Sequence, residues 1–204
     1  MGIQNFSSDD VLVGASNLLY APKGTTKPSD TTVLANDFAS WPTGWVHFGY
    51  TDSGPNFNYA YEVFEVMAQQ STAPLKRKKT TETLTITAGL LQFEALHIAL
   101  ATGGTVTHTA AGVSQKEVDK IVAGGETTLD EYMFAIESTR EDSSGNLQPV
   151  RLFLPRGTIT QNGDTTFARD GATILPVQIQ ALIDSSLPVG SQLYDLRLVL
   201  GPTL

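Results

Sequence analysis

The sequence predicts a mainly β fold with one flanking α-helix, and three observations carry that prediction. Two long stretches, residues 56–68 and 80–88, alternate in character with period two, as strands do. Threonine is abundant and suits pleated positions, while 18 glycines and 10 prolines cut the chain into short segments. Only residues 91–101 give a confident helical period. There Phe93, Leu96, His97 and Leu100 fall at i, i+3, i+4 and i+7, with Gly103 and Gly104 behind them as a stop.

The elements follow in order. Residues 1–10 are polar, end in Ser7, Ser8, Asp9 and Asp10, and read as a loosely held arm. A first strand covers 11–20. Residues 21–30 hold two prolines and a glycine and read as a loop, as do 37–43. A short strand at 45–50 and a turn at 51–55 lead into a long hairpin over 56–90. On its first strand Phe57, Tyr59, Tyr61, Val63, Glu65 and Met67 share one face, and Asn58, Ala60, Glu62, Phe64 and Val66 the other. Pro74 breaks the pattern, and Lys76, Arg77, Lys78 and Lys79 are placed at the hairpin tip. On the return strand Leu84, Ile86 and Ala88 oppose Thr81, Thr83, Thr85 and Thr87. The helix at 91–101 follows, and 102–111 reads as loop.

Residues 114–122 support two readings. Ser114 and Glu117 have capping-box spacing before Val118, Ile121 and Val122, yet Val118, Lys120 and Val122 also alternate as a strand would. A second hairpin spans 130–155, with a polar turn at 141–146. Residues 158–161 and 165–167 flank Asn162 and Gly163 as a tight turn. Residues 172–183 form a strand in which Pro176 argues for an edge or a bulge. A last strand covers 193–200. The total is about eight or nine strands. At 204 residues the chain fits a single domain, 1–204.

Composition narrows the function classes. The absence of cysteine excludes disulfides, thiolate zinc sites and cysteine nucleophiles. A net charge of −8 gives no sequence-wide basic footprint for nucleic acid. No apolar run approaches the roughly 20 residues that span a bilayer, and no secretory signal is visible, so a soluble product made in a cytoplasm is expected. Phosphate-binding glycine loops and the nucleophile elbow are missing. Glu94 and His97 form one Glu-x-x-His step of the kind used by di-iron bundles. A second step is lacking, so His97 reads as a surface or core-rim histidine. No catalytic residue, cofactor or metal ligand is expected, and the chain is not expected to be an enzyme.

At this point a family resemblance appears. Residues 45–54 (WVHFGYTDSG) are followed at once by a long strand carrying Glu62, Val63, Glu65 and Val66. A proline-containing loop, the Thr81–Thr87 stretch (TETLTIT) and a short helix come next. This order, with the Leu-Tyr-Ala-Pro ending of the first strand, resembles the major tail (tail tube) proteins of long-tailed bacteriophages, most closely over residues 11–101. The resemblance implies two packed β-sheets, a split barrel or sandwich flanked by a helix. It implies a structural protein whose hexameric rings stack into a hollow tube for DNA ejection. It implies the tape measure and tail terminator proteins as further partners, DNA passing without specific binding, no membrane, and assembly in the host cytoplasm into the virion tail. Family members continue as strand after the helix, which favours strand for 118–122. The alternative is a β-sandwich binding module of a virion fibre or decoration protein, which would need exposed aromatics such as Trp41 or Trp45.

Site expectations follow from the tube. Leu75, Lys76, Arg77, Lys78 and Lys79 form an inter-ring docking loop that meets an acidic rim on another copy. The channel lining is expected to be net negative, so that duplex DNA slides. Its candidates are Glu62, Glu82, Asp130, Glu131 and Glu137, with Glu62 favoured because Glu65 shares a face with apparent packing residues.

Overall fold

A computed structural model describes residues 14–30, 41–141, 145, 147–167 and 169–199. The arm expected at 1–10 lies outside the described residues. In chain order the elements are β1 (Asn17–Pro22), β2 (Val46–His47), β3 (Asn56–Val66), β4 (Lys76–Leu90), α1 (Ala95–Thr102), β5 (Thr105–Thr109), β6 (Val118–Val122), β7 (Tyr132–Glu141), β8 (Leu147–Gln161), β9 (Leu175–Ala181) and β10 (Asp195–Leu198). One eight-stranded sheet runs β2-β1-β7-β8-β9-β4-β3, and β10 joins it beside β8. A separate ribbon consists of β5 and β6. The mainly β class with one helix is therefore what the residues build.

The long strand β8 organises the sheet. Its first edge pairs with β7, and its second is shared: β10 takes Val150–Phe153 and β9 takes Gly157–Gln161. Pro155 sits where the second edge changes partner, beside a register shift on β7, so its missing N–H breaks no ladder. β8 consequently runs past residue 155, and 158–161 complete it rather than opening a further hairpin. Residues 165–167 are not strand. Pro176 is not on an edge, because β9 lies between β8 and β4. Its carbonyl accepts from Asn162 N–H at 3.0 Å. The missing donor thus faces the turn after β8, where no strand continues.

Alternation divides the core in two. Leu18 and Tyr20 of β1, Phe134 of β7, Leu152 and Leu154 of β8, Leu84 and Ile86 of β4 and Ile179 of β9 pack with Phe48 and α1. The intervening residues Leu19, Ala21, Met133, Ala135 and Phe153 face the other way, under Trp41 and Trp45. Strands covered on both faces read as continuous apolar runs, as β1 and β7 do. Phe48, Phe134 and Phe153 are fully buried, and truncating any of them to Ala costs about 3–5 kcal/mol.

The helix is shorter than its periodicity suggests. Leu91 N–H bonds to Tyr50 O at 2.9 Å, and Glu94 is extended, so residues 91–94 stay outside the helix and α1 begins at Ala95. Gly103, with φ of +65°, ends it in the left-handed conformation that glycine tolerates. His97 is buried rather than at the rim, its ring centroid 5.2 Å from that of Phe48. The 102–111 stretch is also more ordered than expected. Its Thr-Val-Thr-His-Thr alternation forms β5 against β6, with Val106 opposite Ile121. Strand wins over helix at 118–122.

Candidate assembly surfaces

The β3–β4 hairpin is a ribbon rooted in the sheet and free beyond it. β4 pairs with β9 only from Thr85 to Leu90. From Leu84 outward it has β3 alone as a neighbour among the described residues. The register is regular from Asn56 opposite Thr87 to Glu62 opposite Thr81. It then slips by one residue, so that Val63 faces Lys79 and Val66 faces Lys76. The extra residue, Thr80, is a bulge, which bends the ribbon and raises its twist.

This corrects the expected position of the basic run. Lys76, Arg77, Lys78 and Lys79 are not in the turn; they form the first four residues of β4. The turn is 67–75, closed by Leu75 N–H to Val66 O at 2.8 Å. Strand pairing captures the cations because β3 offers partners in register: Arg77 pairs with Glu65, its Nε donating at 2.7 Å. Lys79 bonds Glu82 at 2.8 Å and Tyr59 Oη at 2.7 Å, and sits 4.8 Å from the Tyr61 ring centroid. Glu82 and Tyr59 push the Lys79 ammonium up, and Lys79 holds the Glu82 carboxyl below its usual range. Two of the four cations are thus neutralised locally. Lys76 and Lys78 have no ion-pair partner among the described residues, and they share a face with Phe64 and Val66.

At its root the ribbon has two unlike faces. One continues the core through Phe57, Tyr59, Leu84 and Ile86, with Tyr194 against both aromatic rings. The other is polar and almost uncharged. Asn58 lies opposite Thr85, Thr85 opposite Gln180, and Gln180 opposite Thr158; Asn56, Thr87, Gln178 and Thr160 form a parallel row. Glu62 lies further out on this face, opposite Thr81, whose hydroxyl lies 3.3 Å from its carboxylate. Glu82 falls on the opposite face, beside Lys79.

The remaining acidic candidates scatter. Asp130 is exposed, 3.5 Å from Tyr132 Oη. Glu131 is held by a two-pronged bond from Arg156, at 2.7 and 2.5 Å, which keeps its carboxyl below the usual range. Glu137 is corrected: it is 3% exposed and has no surface to offer a channel. Its oxygens accept from Arg151 Nε at 2.8 Å and Trp41 Nε1 at 3.0 Å. Arg151 also donates to Asp30 at 2.8 Å. Arg197 donates to Asp30 and Asp195, and Lys27 to Asp195 at 2.9 Å. Three carboxylates meet three cations in one network that ties the 27–30 loop and β10 to the sheet. A signal for it exists in the sequence. Glu137 and Arg151 are equidistant in sequence from residue 144, midway between β7 and β8, so a regular hairpin places them opposite each other.

Among the described residues no cluster of His, Asp or Glu is arranged to hold a metal ion, and no helix is long and apolar enough to cross a membrane. Trp41 and Trp45 are buried, so they offer no aromatic platform to a binding module. A continuous sheet, an outstretched ribbon with free edges and a second small ribbon define the class: a structural β-subunit built to join its like. Residues 5–191 match the family model described as phage tail tube protein, and the chain belongs to that family. A structural role in the tail tube, a place in the virion tail and assembly with copies of itself come with that membership. No curated protein matches the sequence. Among solved structures the chain is similar to one described as "Crystal structure of Hcp protein", with 13% identity, coverage of 81% of this chain and 88% of that one, and a TM-score of 0.30.

Proposed function

We propose that six copies close into a ring, that rings stack into the tail tube, and that the tube conducts DNA during ejection. The observation that supports this best is the two-faced root of the ribbon, core on one side and an Asn/Thr/Gln surface on the other. The polar face, with β3 and β4 edges free to extend the sheet into a neighbour, is the channel lining. Ring closure also removes sheet edges that would otherwise aggregate. The ribbon tip, including Leu75, Lys76 and Lys78, reaches the next ring.

The lining refines the electrostatics. Duplex DNA carries one negative charge per roughly 1.7 Å of axis. The polar rows from Asn56 to Thr160 contain no Lys or Arg, so phosphates find no cation to stall on. Glu62 is the carboxylate of that face, repeated once per copy, and its repulsion reaches about 8 Å at physiological salt. Glu82, Asp130 and Glu131 contribute to the general acidity. The tape measure and tail terminator proteins are the further partners, and assembly takes place in the host cytoplasm. Electron microscopy of the purified protein at rising concentration tests the reading: rings and tubes support it, whereas a persistent monomer or a trimer refutes it. In a structure of the tube, a cationic channel wall or Glu62 turned away from it would overturn the lining assignment.

A further inference from the structure

On the far side of the fold from the polar face, the start of α1 borders an open cleft of about 440 Å³ lined by Phe93, Glu94, Ala95, Leu96, Val106 and Asp119. Its floor is apolar. Phe93 and Leu96 are exposed, and Phe167, itself 75% exposed, stacks edge-on against Phe93 at 5.6 Å. Its rim is acidic. Glu94 precedes α1 with no side-chain capping bond, and Asp119 is held in place by His108 Nδ1 at 2.7 Å. Solvated apolar groups gathered between carboxylates need a cover of matching chemistry.

The same chain carries that cover. Beyond the Thr80 bulge, one face of the β3–β4 ribbon presents Phe64 and Val66 beside Lys78 and Lys76, with Leu75 at its end. Phe64 is 61% and Leu75 66% exposed. Two apolar side chains flanked by two ammoniums with no ion-pair partner among the described residues match an apolar floor flanked by two carboxylates. Arg77 and Lys79 are already neutralised by Glu65 and Glu82, so it is the Phe64 face that has charge to spend on a partner.

We infer that the ribbon tip of one copy docks by its Phe64, Val66, Lys76 and Lys78 face into the Phe93–Leu96 cleft of a second copy, with Glu94 and Asp119 as counter-charges. The contact joins two different patches, so it does not close on itself. It propagates head to tail, which is the symmetry that stacking requires. The inference rests on the tube reading for its place between rings, and supplies what that reading leaves open: the surface that receives the tip.

The chain has no cysteine, so introduced thiols report contact cleanly. Phe64→Cys protein is mixed with Leu96→Cys protein under mild oxidation. A disulfide-linked heterodimer is expected, in large excess over the product of a control pair, Phe64→Cys with Val113→Cys. Equal yields in the two mixtures overturn the inference. In a second arm, Lys76→Glu/Lys78→Glu and Glu94→Arg are each expected to raise the critical concentration for tubes by about tenfold or more, because like charges then meet. Combining them in one chain is expected to restore most of the loss. Circular dichroism verifies that each variant is folded. Tubes unaffected by the reversals, or not restored by the combination, sink the docking site while leaving the tube reading intact. Failure of the unsubstituted protein to form rings sinks the tube reading, and the thiol arm still decides the contact.

Discussion

Replacing Arg151 with Met tests whether the buried charge network holds the second face of the sheet. Arg151 is 2% exposed, and its guanidinium serves both Glu137 and Asp30 while lying 5.6 Å from the Trp41 ring centroid. Met keeps much of the volume but leaves the Glu137 carboxylate buried with Trp41 Nε1 as its remaining donor among the described residues. Asp30 retains Arg197. Breaking one partner from a buried pair costs about 3–5 kcal/mol. For a chain of this length that is a fall in Tm of about 6–20 °C. Removing both charges, as Arg151→Met with Glu137→Leu, leaves no uncompensated ion. Its remaining cost is the orphaned indole N–H, about 1–3 kcal/mol. The double variant is therefore expected to be more stable than Arg151→Met alone. Urea unfolding followed by circular dichroism, run on both variants and on Glu137→Leu, gives the cycle. An Arg151→Met variant within about 1 kcal/mol of the parent, or a double variant whose loss equals the sum of the singles, would refute the role assigned to the network.

Three further outcomes are expected. Arg197 beside Asp195 holds the Asp195 carboxyl below its ordinary value. Its contribution to stability is full above the unfolded value near 3.9 and fades as pH falls through the lower folded value; Asp195→Asn should flatten the acid limb of the stability profile, and an unchanged limb would exclude that contribution. Burial lowers the His47 pKa, and Gly49 N–H donates to its Nδ1 at 2.7 Å, so NMR should find its midpoint below the ordinary histidine value of about 6.5; a midpoint above that would contradict the geometry. Trypsin should cut after residues 76–79 in the isolated subunit and be excluded once tubes form, and equal cleavage in both states counts against their burial on assembly.

What the sequence made legible was whatever is local. The β3 and β4 alternation, the β7–β8 hairpin and the single helix all follow from periods of two or 3.6. The misplaced features are those that depend on the neighbouring strand. Four consecutive cations look like a turn because they are polar; only the register, setting Arg77 opposite Glu65, shows that a strand can carry them. Pro176 looks like an edge because it cannot donate, yet β8 ends before the missing donor would be needed. Thr105–Thr109 looks like loop until Val106 finds Ile121. Glu137 looks like a surface acid because its partners, Arg151 on β8 and Trp41, reach it only in the folded sheet.

The Thr80 bulge is the hinge of the whole reading. Without it, β4 would keep one register from Lys76 to Leu90. Every even-numbered side chain would then point with Leu84 and Ile86 towards the core side, and Lys76 and Lys78 would share that side with Glu82. One inserted residue reverses this parity beyond Thr81. Arg77 and Lys79 turn to the side of Tyr61 and Glu65, where carboxylates neutralise them. Lys76 and Lys78 turn to the side of Phe64 and Val66, where no carboxylate among the described residues does. A single strand can therefore have a buried apolar face with a neutral polar back at its root, and at its tip a paired face with a cationic, apolar back. The root suits a wall that DNA passes, and the tip suits a contact that another copy must complete. Deleting Thr80 would close the ladder with its present pairings, Glu62 to Thr81 and Val63 to Lys79, and so keep every side chain on its face while removing the bend and added twist. Such a variant should fold, show unchanged core burial, and lose assembly because the unbent tip no longer lands on the neighbouring copy; retention of normal tubes would show that the bend does not matter.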